Sequence, residues 1–284
     1  MIKVLSPGIY SSIQDFGRFK FQEYGVPISG IMDKKAASFA NAIIGNSKNL
    51  PVLEITMVGP KLKFDCNTSI CISGADITPK LNNTFVSNNK AISVDKGDVL
   101  SFGQLKKGVR TYLAVSGGFK TERIMQSYSM YQGLTSKFKI EKNDVLKIES
   151  ENLTTENQYA SIKVNDEYLN LKTIEVFKGP EFDNLTEYQK DCLLNQDFTI
   201  SKDNNRMAYQ LNETIENNLE PIITSLVLPG TVQLTPSGRL IVLMRDCQTT
   251  GGYPRVLQLK EFSINVMAQK FTGQHIGFKL ICKN

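Results

Sequence analysis

Two segments gather polar groups and glycines in a way that a core strand has no use for. The first is Gln14-Asp15-Phe16-Gly17-Arg18, followed by Tyr24-Gly25-Val26-Pro27 and Ser29-Gly30-Ile31-Met32-Asp33. It sets an amide, a carboxylate and a guanidinium close together in the chain. The planar fork of arginine suits a carboxylate or a phosphate. Equally, Asp15 and Arg18 can pair and close a tight turn at Gly17. The second segment starts as an apolar strand, Arg239-Leu240-Ile241-Val242-Leu243-Met244. It empties into Arg245-Asp246-Cys247-Gln248-Thr249-Thr250-Gly251-Gly252-Tyr253-Pro254. Paired glycines let a backbone approach a ligand closely, and Thr hydroxyls with backbone N–H groups can cradle an anion. A polar hairpin with a flexible tip is the other reading. Two further segments are weaker signals. Ser116-Gly117-Gly118-Phe119 follows a strand pattern and reads first as a turn, and Arg206 precedes the apolar run Met207-Ala208-Tyr209-Gln210-Leu211.

Several familiar chemistries have no footing here. Gly103 and Gly108 have the glycine spacing of a phosphate-binding loop, but Val109-Arg110 stands where Lys-Ser/Thr is required. There is no Gly-x-Gly-x-x-Gly dinucleotide fingerprint and no Gly-x-Ser-x-Gly elbow. His275 is the one histidine, set in a strand-like run, and it reads as structural rather than as a base. The five cysteines contain no Cys-x-x-Cys, so no metal site is expected and the thiols are expected reduced and mostly buried.

Composition agrees with a globular chain. Of 284 residues, 41% are hydrophobic and 21% charged, enough to bury a core. The 33 basic residues against 28 acidic ones leave a formal charge of +5, spread out rather than striped, which argues against nucleic-acid binding. No apolar run reaches the roughly 18 residues of a membrane span, and the N-terminus lacks the pattern of a secretory signal. No membrane association and a cytoplasmic location are the expectations.

The elements that must position these groups are mostly short strands. Period-2 alternation or β-rich composition marks 1–8, 52–58, 61–65, 69–73, 98–102, 111–115, 145–149 and 173–177. The later strands are expected at 206–211, 223–228, 231–234, 239–244, 256–259 and 276–281. Three helices are expected. One runs from 36 to 44, capped by Asp33 and ended by Gly45, and one opens at the capping box Thr186-Glu187-Tyr188-Gln189. The third covers 264–271, before Gly273. The polar stretch 150–166 is the natural internal boundary, giving lobes of 1–155 and 156–284. Gly25-Val26-Pro27 before the first helix and Gly252-Tyr253-Pro254 before the last echo each other weakly, as a duplicated barrel would.

In order, the same segments resemble one family. They are Pro7-Gly8, Gln14-Asp15-x-Gly17-Arg18, Gly25-Val26-Pro27-x-Ser29-Gly30-x-Met32-Asp33, Gly97-Asp98-Val99-Leu100 and Arg110-x-Tyr112-Leu113-Ala114-Val115-x-Gly117-Gly118. In the second half they are Arg206-Met207-x-Tyr209, Pro236-x-Gly238 and Asp246-x-Gln248-Thr249-Thr250-Gly251-Gly252-Tyr253-Pro254. The set resembles the 5-oxoprolinase C-subunit family, which includes the Kip antagonist. It is also similar to the carboxyltransferase region of urea carboxylase, long labelled allophanate hydrolase subunit 2.

The resemblance implies a mainly β fold with a few helices, arranged as two cyclophilin-like β-barrel lobes. It implies partner subunits A and B, ATP as co-substrate, and opening of 5-oxoproline to L-glutamate. On that basis Arg18 and Arg206 are the expected anion contacts. Asp15 and Asp246 orient them or handle protons. Gln14, Gln248, Thr249, Thr250, Gly251, Gly252, Tyr253, Gly117 and Gly118 shape the substrate pocket. The alternatives it implies are a carboxyltransferase that takes a carboxyl group from carboxybiotin, with biotin carried on another protein, and a non-enzymatic regulator of a kinase inhibitor. Three arginines usual in the family are replaced here by Gln210, Tyr128 and Cys247, and the isolated chain is expected to be inactive.

Overall fold

The computed structural model describes residues 1–149 and 165–281. The chain divides into two compact units, one of Met1–Gly17 with Asp33–Leu169, the other of Arg18–Met32 with Asn170–Asn284. The expected boundary at 155/156 lies outside the described residues. The segment Arg18–Met32 thus leaves its sequence neighbours and belongs to the second unit.

The mainly β expectation holds. The first unit is built of two sheets. The six-stranded one runs Val145–Leu146, Ile2–Ser6, Lys61–Phe64, Val99–Phe102, Pro79–Leu81, Thr84–Phe85. The five-stranded one runs Tyr10–Gln14, Val52–Thr56, Lys107–Val115, Thr68–Asp76, Ala91–Val94. Ile2, Val4, Leu62, Phe64 and Leu100 of one sheet share a single apolar core with Ile13, Leu53, Ile55, Ile70, Ile72, Leu113 and Val115 of the other. Each such side chain contributes about 1.5–3 kcal/mol on burial. Strand Tyr10–Gln14 has little strand-forming composition. It forms because it pairs with Val52–Thr56 along its whole length, Tyr10 opposite Thr56 and Gln14 opposite Val52, so the neighbour overrides local preference.

The helix Lys34–Ile43 covers the strands Thr68–Asp76 and Lys107–Val115. It starts where expected: the Ala36 amide donates to Asp33 Oδ1 at 3.0 Å. The alternate face of the five-stranded sheet is polar yet buried, with Ser12, Gln14, Glu54, Ser73, Arg110 and Tyr112 all nearly inaccessible.

The second unit contains a closed seven-stranded barrel. Its order is Thr173–Lys178, Arg255–Leu259, Thr231–Leu234, Arg239–Leu243, Ala208–Thr214, Phe198–Asn204, His275–Leu280, and back to Thr173–Lys178. The closing pair is parallel, Thr173 opposite Gly277. Tyr209, Val242, Val232, Leu257, Phe198 and Ile276 are buried on these strands. The helix Glu187–Asn195 opens on the expected capping box, with the Gln189 amide donating to Thr186 Oγ1 and the Thr186 amide to Gln189 Oε1. The third helix spans Glu261–Met267, earlier than the 264–271 expected. After it the backbone tightens into three-residue turns, Gln269 N–H to Val266 O and Lys270 N–H to Met267 O.

Candidate functional site

Strand Arg239–Leu243 delivers Asp246 to the base of the hairpin that the sequence singles out, and Ala208–Thr214 pairs with that strand, Ala208 opposite Leu243. This register brings Arg206 to Asp246. The Asp246 amide donates to Arg206 O at 3.0 Å and the Met244 amide to Met207 O at 2.8 Å. Arg206 Nε then donates to Asp246 Oδ2 at 2.8 Å and Nη2 to Oδ1 at 3.0 Å, a two-pronged ion pair with side chains 8% and 13% exposed.

The segment Arg18–Met32 completes the arrangement. Ser29 Oγ donates to Asp246 Oδ1 at 2.7 Å, the Ser29 amide donates to Arg245 O at 2.8 Å, and Gly30 O accepts from Arg206 Nη2 at 2.6 Å. Among the described residues the Asp246 carboxylate has no other side-chain partners than Ser29 and Arg206. Next to it Cys247 is buried, and burial with the Asp246 charge pushes its thiol up to about 12.

Beyond Asp246 the hairpin opens. Thr250–Gly251 pairs with Ser225–Leu226, and Val227 N–H donates to Thr249 O at 3.1 Å. Ile222 N–H donates to Gly252 O at 3.0 Å. A Cβ at Gly251 would lie 2.5 Å from Gln233 Nε2, so a side chain at this position requires the Gln233 amide to move. Gln248 and Thr249 are half-buried, Thr250 and Tyr253 exposed. Among the described residues the side chains of Gln248, Thr249 and Thr250 make no hydrogen bond. Their amide and hydroxyl groups can donate to and accept from a polar ligand. The second unit thus brings Arg206, Asp246 and this polar hairpin together, with Arg18 fully buried in the same unit and its amide donating to Ile28 O at 2.7 Å.

The remaining residues singled out from the sequence sit in the first unit. Asp15 is enclosed: Oδ1 accepts from Ser127 Oγ at 2.6 Å, Ser129 Oγ at 2.7 Å and the Gly17 amide at 2.9 Å, and Oδ2 accepts from the Tyr128 amide at 2.7 Å. Gln14 Nε2 donates to Ser12 Oγ and to Met130 O, both within the buried interior. Gly117 and Gly118 form the turn after Lys107–Val115, with φ of 72° and 75°, and Asn46 Oδ1 accepts from the Gly117 amide at 3.1 Å. A Cβ on Gly117 would lie 2.6 Å from the Glu149 Cβ.

Two groups of contributors carried no assigned role in the sequence. The hydroxyls of Ser127 and Ser129 reach Asp15 by simple alternation along the chain, a spacing visible in Ser127-Tyr128-Ser129. Ser29 and Gly30 stand in a quoted motif, but nothing local shows that they meet Asp246 and Arg206. A third carboxylate, Asp33, does more than cap its helix: Tyr168 Oη donates to Asp33 Oδ2 at 2.6 Å, and the Asp33 amide donates to Tyr112 Oη at 2.8 Å. Burial, with Glu54 and Asp33 nearby, holds the Tyr112 phenol well above its ordinary value. Among the described residues no three His, Cys, Asp or Glu side chains gather as metal ligands, and no helix is long and apolar enough to cross a membrane.

A family model described as carboxyltransferase domain, subdomain A and B, matches residues 24–280. The chain belongs to this carboxyltransferase-domain family. It is 31% identical to the C-subunit of the 5-oxoprolinase of Escherichia coli K12 over 286 residues, 98% of this chain and 90% of that one. It is 41% identical to the urea amidolyase of Lachancea kluyveri over 130 residues, 45% of this chain and 7% of that one. Its fold superposes on the crystal structure of the K. lactis urea amidolyase with a TM-score of 0.89 at 25% identity, covering 99% of this chain but only 19% of that one. The chain therefore spans a small part of the amidolyases it matches and nearly the whole of the E. coli protein.

Proposed function

We propose that the chain is the C-subunit of an ATP-dependent 5-oxoprolinase, acting with subunits A and B in the cytoplasm to open 5-oxoproline to L-glutamate. The observation that carries this reading is the match to a 5-oxoprolinase C-subunit along 98% of this chain and 90% of the relative. A lactam is a resonance-stabilised amide and resists water. ATP transfers its γ-phosphoryl group to the lactam oxygen, water adds at the activated ring carbon, the ring C–N bond breaks toward nitrogen, and phosphate leaves. Such a path needs groups that recognise an amide and cations that meet the phosphoryl charge.

In this reading Gln248, Thr249 and Thr250 supply the amide recognition, since their side chains are uncommitted. Gly251, Gly252 and Tyr253 shape the hairpin around the substrate. Arg206 serves Asp246, its Nε and Nη2 engaged by Asp246 and Gly30, and Arg18 is fully buried, so in this reading the cations for the phosphoryl group come from another polypeptide of the complex. The isolated chain is inactive for that reason. The test is release of glutamate from 5-oxoproline and ATP by this chain co-purified with its A and B subunits, against the chain alone. Activity in the complex and none in the chain alone is the expected result. A well-folded complex that leaves 5-oxoproline intact with ATP present overturns the reading.

A second reading rests on the 41% identity to an amidolyase. Here the same hairpin holds the ureido oxygen of carboxybiotin, carried by another protein, and an amide acceptor such as urea. Transfer of labelled carboxylate from a carboxybiotinylated carrier to urea distinguishes it from the first.

A further inference from the structure

We propose that Ser29 is a positioning residue for Asp246 and the substrate-facing hairpin that follows it, an inference that rests on the reading of Gln248–Thr250 as the amide-binding edge. Ser29 is fully buried and its backbone has φ of 57°, in the left-handed region where a residue with a Cβ is strained. If the turn alone mattered, glycine would serve better at this position, as it does at the next, where Gly30 has φ of 93°. What a serine adds is its hydroxyl, and that hydroxyl donates to Asp246 Oδ1 at 2.7 Å.

Two neighbouring bonds fix the direction of that hydroxyl. The Ser29 amide donates to Arg245 O, holding the turn against the residue preceding Asp246, while Gly30 O holds Arg206 Nη2. Ser29 and Gly30 therefore grip both members of the ion pair from one short turn. Oδ1 receives two donors, Ser29 Oγ and Arg206 Nη2, whereas Oδ2 receives Arg206 Nε. Removing the hydroxyl takes one of three donors from the Asp246 carboxylate, leaving Arg206 alone to hold it, and loosens the start of the hairpin from Cys247 onward. The effect on substrate is indirect: Ser29 acts through Asp246 and touches no substrate.

The test compares the full chain as wild type, Ser29→Ala and Ser29→Gly. Both variants lose the hydroxyl; Ser29→Gly alone also relieves the left-handed strain. Hydrogen exchange is followed at residues 247–252 and at strand Arg239–Leu243, and thermal midpoints are recorded. Loss of one hydrogen bond to a charged group is expected to speed exchange at 247–252 by roughly tenfold in both variants, with Arg239–Leu243 unchanged. The thermal midpoint of Ser29→Gly is expected at or above that of Ser29→Ala.

In the reconstituted complex, KM for the amide substrate is expected to rise by roughly tenfold in both variants while kcat stays within about twofold. Unchanged exchange overturns the proposal. So does raised exchange with unchanged KM, and so does a Ser29→Gly chain that keeps its protection while Ser29→Ala loses it, because strain would then be the cause. If the wild-type complex does not open 5-oxoproline, the functional reading fails by itself, and the exchange measurement still decides whether the Ser29 hydroxyl holds the hairpin.

Discussion

Arg206 grips Asp246 through two nearly parallel hydrogen bonds, Nε to Oδ2 at 2.8 Å and Nη2 to Oδ1 at 3.0 Å, in a place where water hardly reaches either side chain. A charge pair so enclosed costs desolvation to form, and breaking it strands a buried charge. Arg206→Ala should therefore destabilise the chain by about 3–5 kcal/mol. Arg206→Lys should recover only part of that loss, because an ammonium cannot reproduce the planar two-pronged contact. Denaturant midpoints of the three proteins check both; a midpoint for Arg206→Ala equal to wild type contradicts the pair's role.

Asp15 should behave as a structural carboxylate. It accepts from two hydroxyls and two backbone amides, so Asp15→Ala leaves four donors to find new partners. A loss of about 2–4 kcal/mol is expected by denaturant unfolding. Asp15→Asn, which keeps one acceptor oxygen, should lose less.

The opposite behaviour is expected at the hairpin tip. The side chains of Gln248 and Thr250 have no hydrogen-bond partner among the described residues, so their replacement by alanine should change stability by less than about 0.5 kcal/mol. In the reconstituted complex the same variants should raise KM for the amide substrate by roughly tenfold or more, since each removes a polar contact to it. Steady-state kinetics beside unfolding curves separates the two effects.

The pair Glu181–Arg255 gives the second unit an acid-sensitive element. Arg255 Nη2 and Nε donate to Glu181 Oε1 and Oε2 at 2.8 and 3.0 Å, and these bonds hold the Glu181 carboxyl below its ordinary range. Since the folded-state value lies below the unfolded one, near 4.3, the pair's stabilisation is complete above the unfolded value. It disappears as pH falls through the folded one. A contribution of about 1 kcal/mol is expected. Unfolding free energies measured between roughly pH 3 and 7 should show a shallower acid limb for Glu181→Gln than for wild type.

Much of this protein was legible in its residues. Alternation such as Lys61-Leu62-Lys63-Phe64, the cap at Asp33 and the capping box at Thr186 and Gln189 are local matters. A strand shows its buried face every second residue, and a helix start needs one side chain near one amide. The polar hairpin after Leu243 was equally visible, because its composition breaks with the apolar strand before it. Strand Tyr10–Gln14 was not, since its partner rather than its own residues makes it a strand.

The roles of the charged groups depended on distance in space. From sequence alone Asp15 and Arg18 are three positions apart and read as a unit, yet the chain passes from one compact unit to the other between Gly17 and Arg18. Asp15 is met instead by Ser127, Tyr128 and Ser129, while Asp246 is met by Arg206 and Ser29. Residue types and local spacing determine which segments can be strands, caps and polar turns, because those depend on neighbours within a few positions. Which carboxylate is consumed by structure, and which side chains are left uncommitted for a ligand, was decided only when strand register and the crossing of Arg18–Met32 set the partners, because hydrogen bonding acts over about 3 Å whatever the separation along the chain.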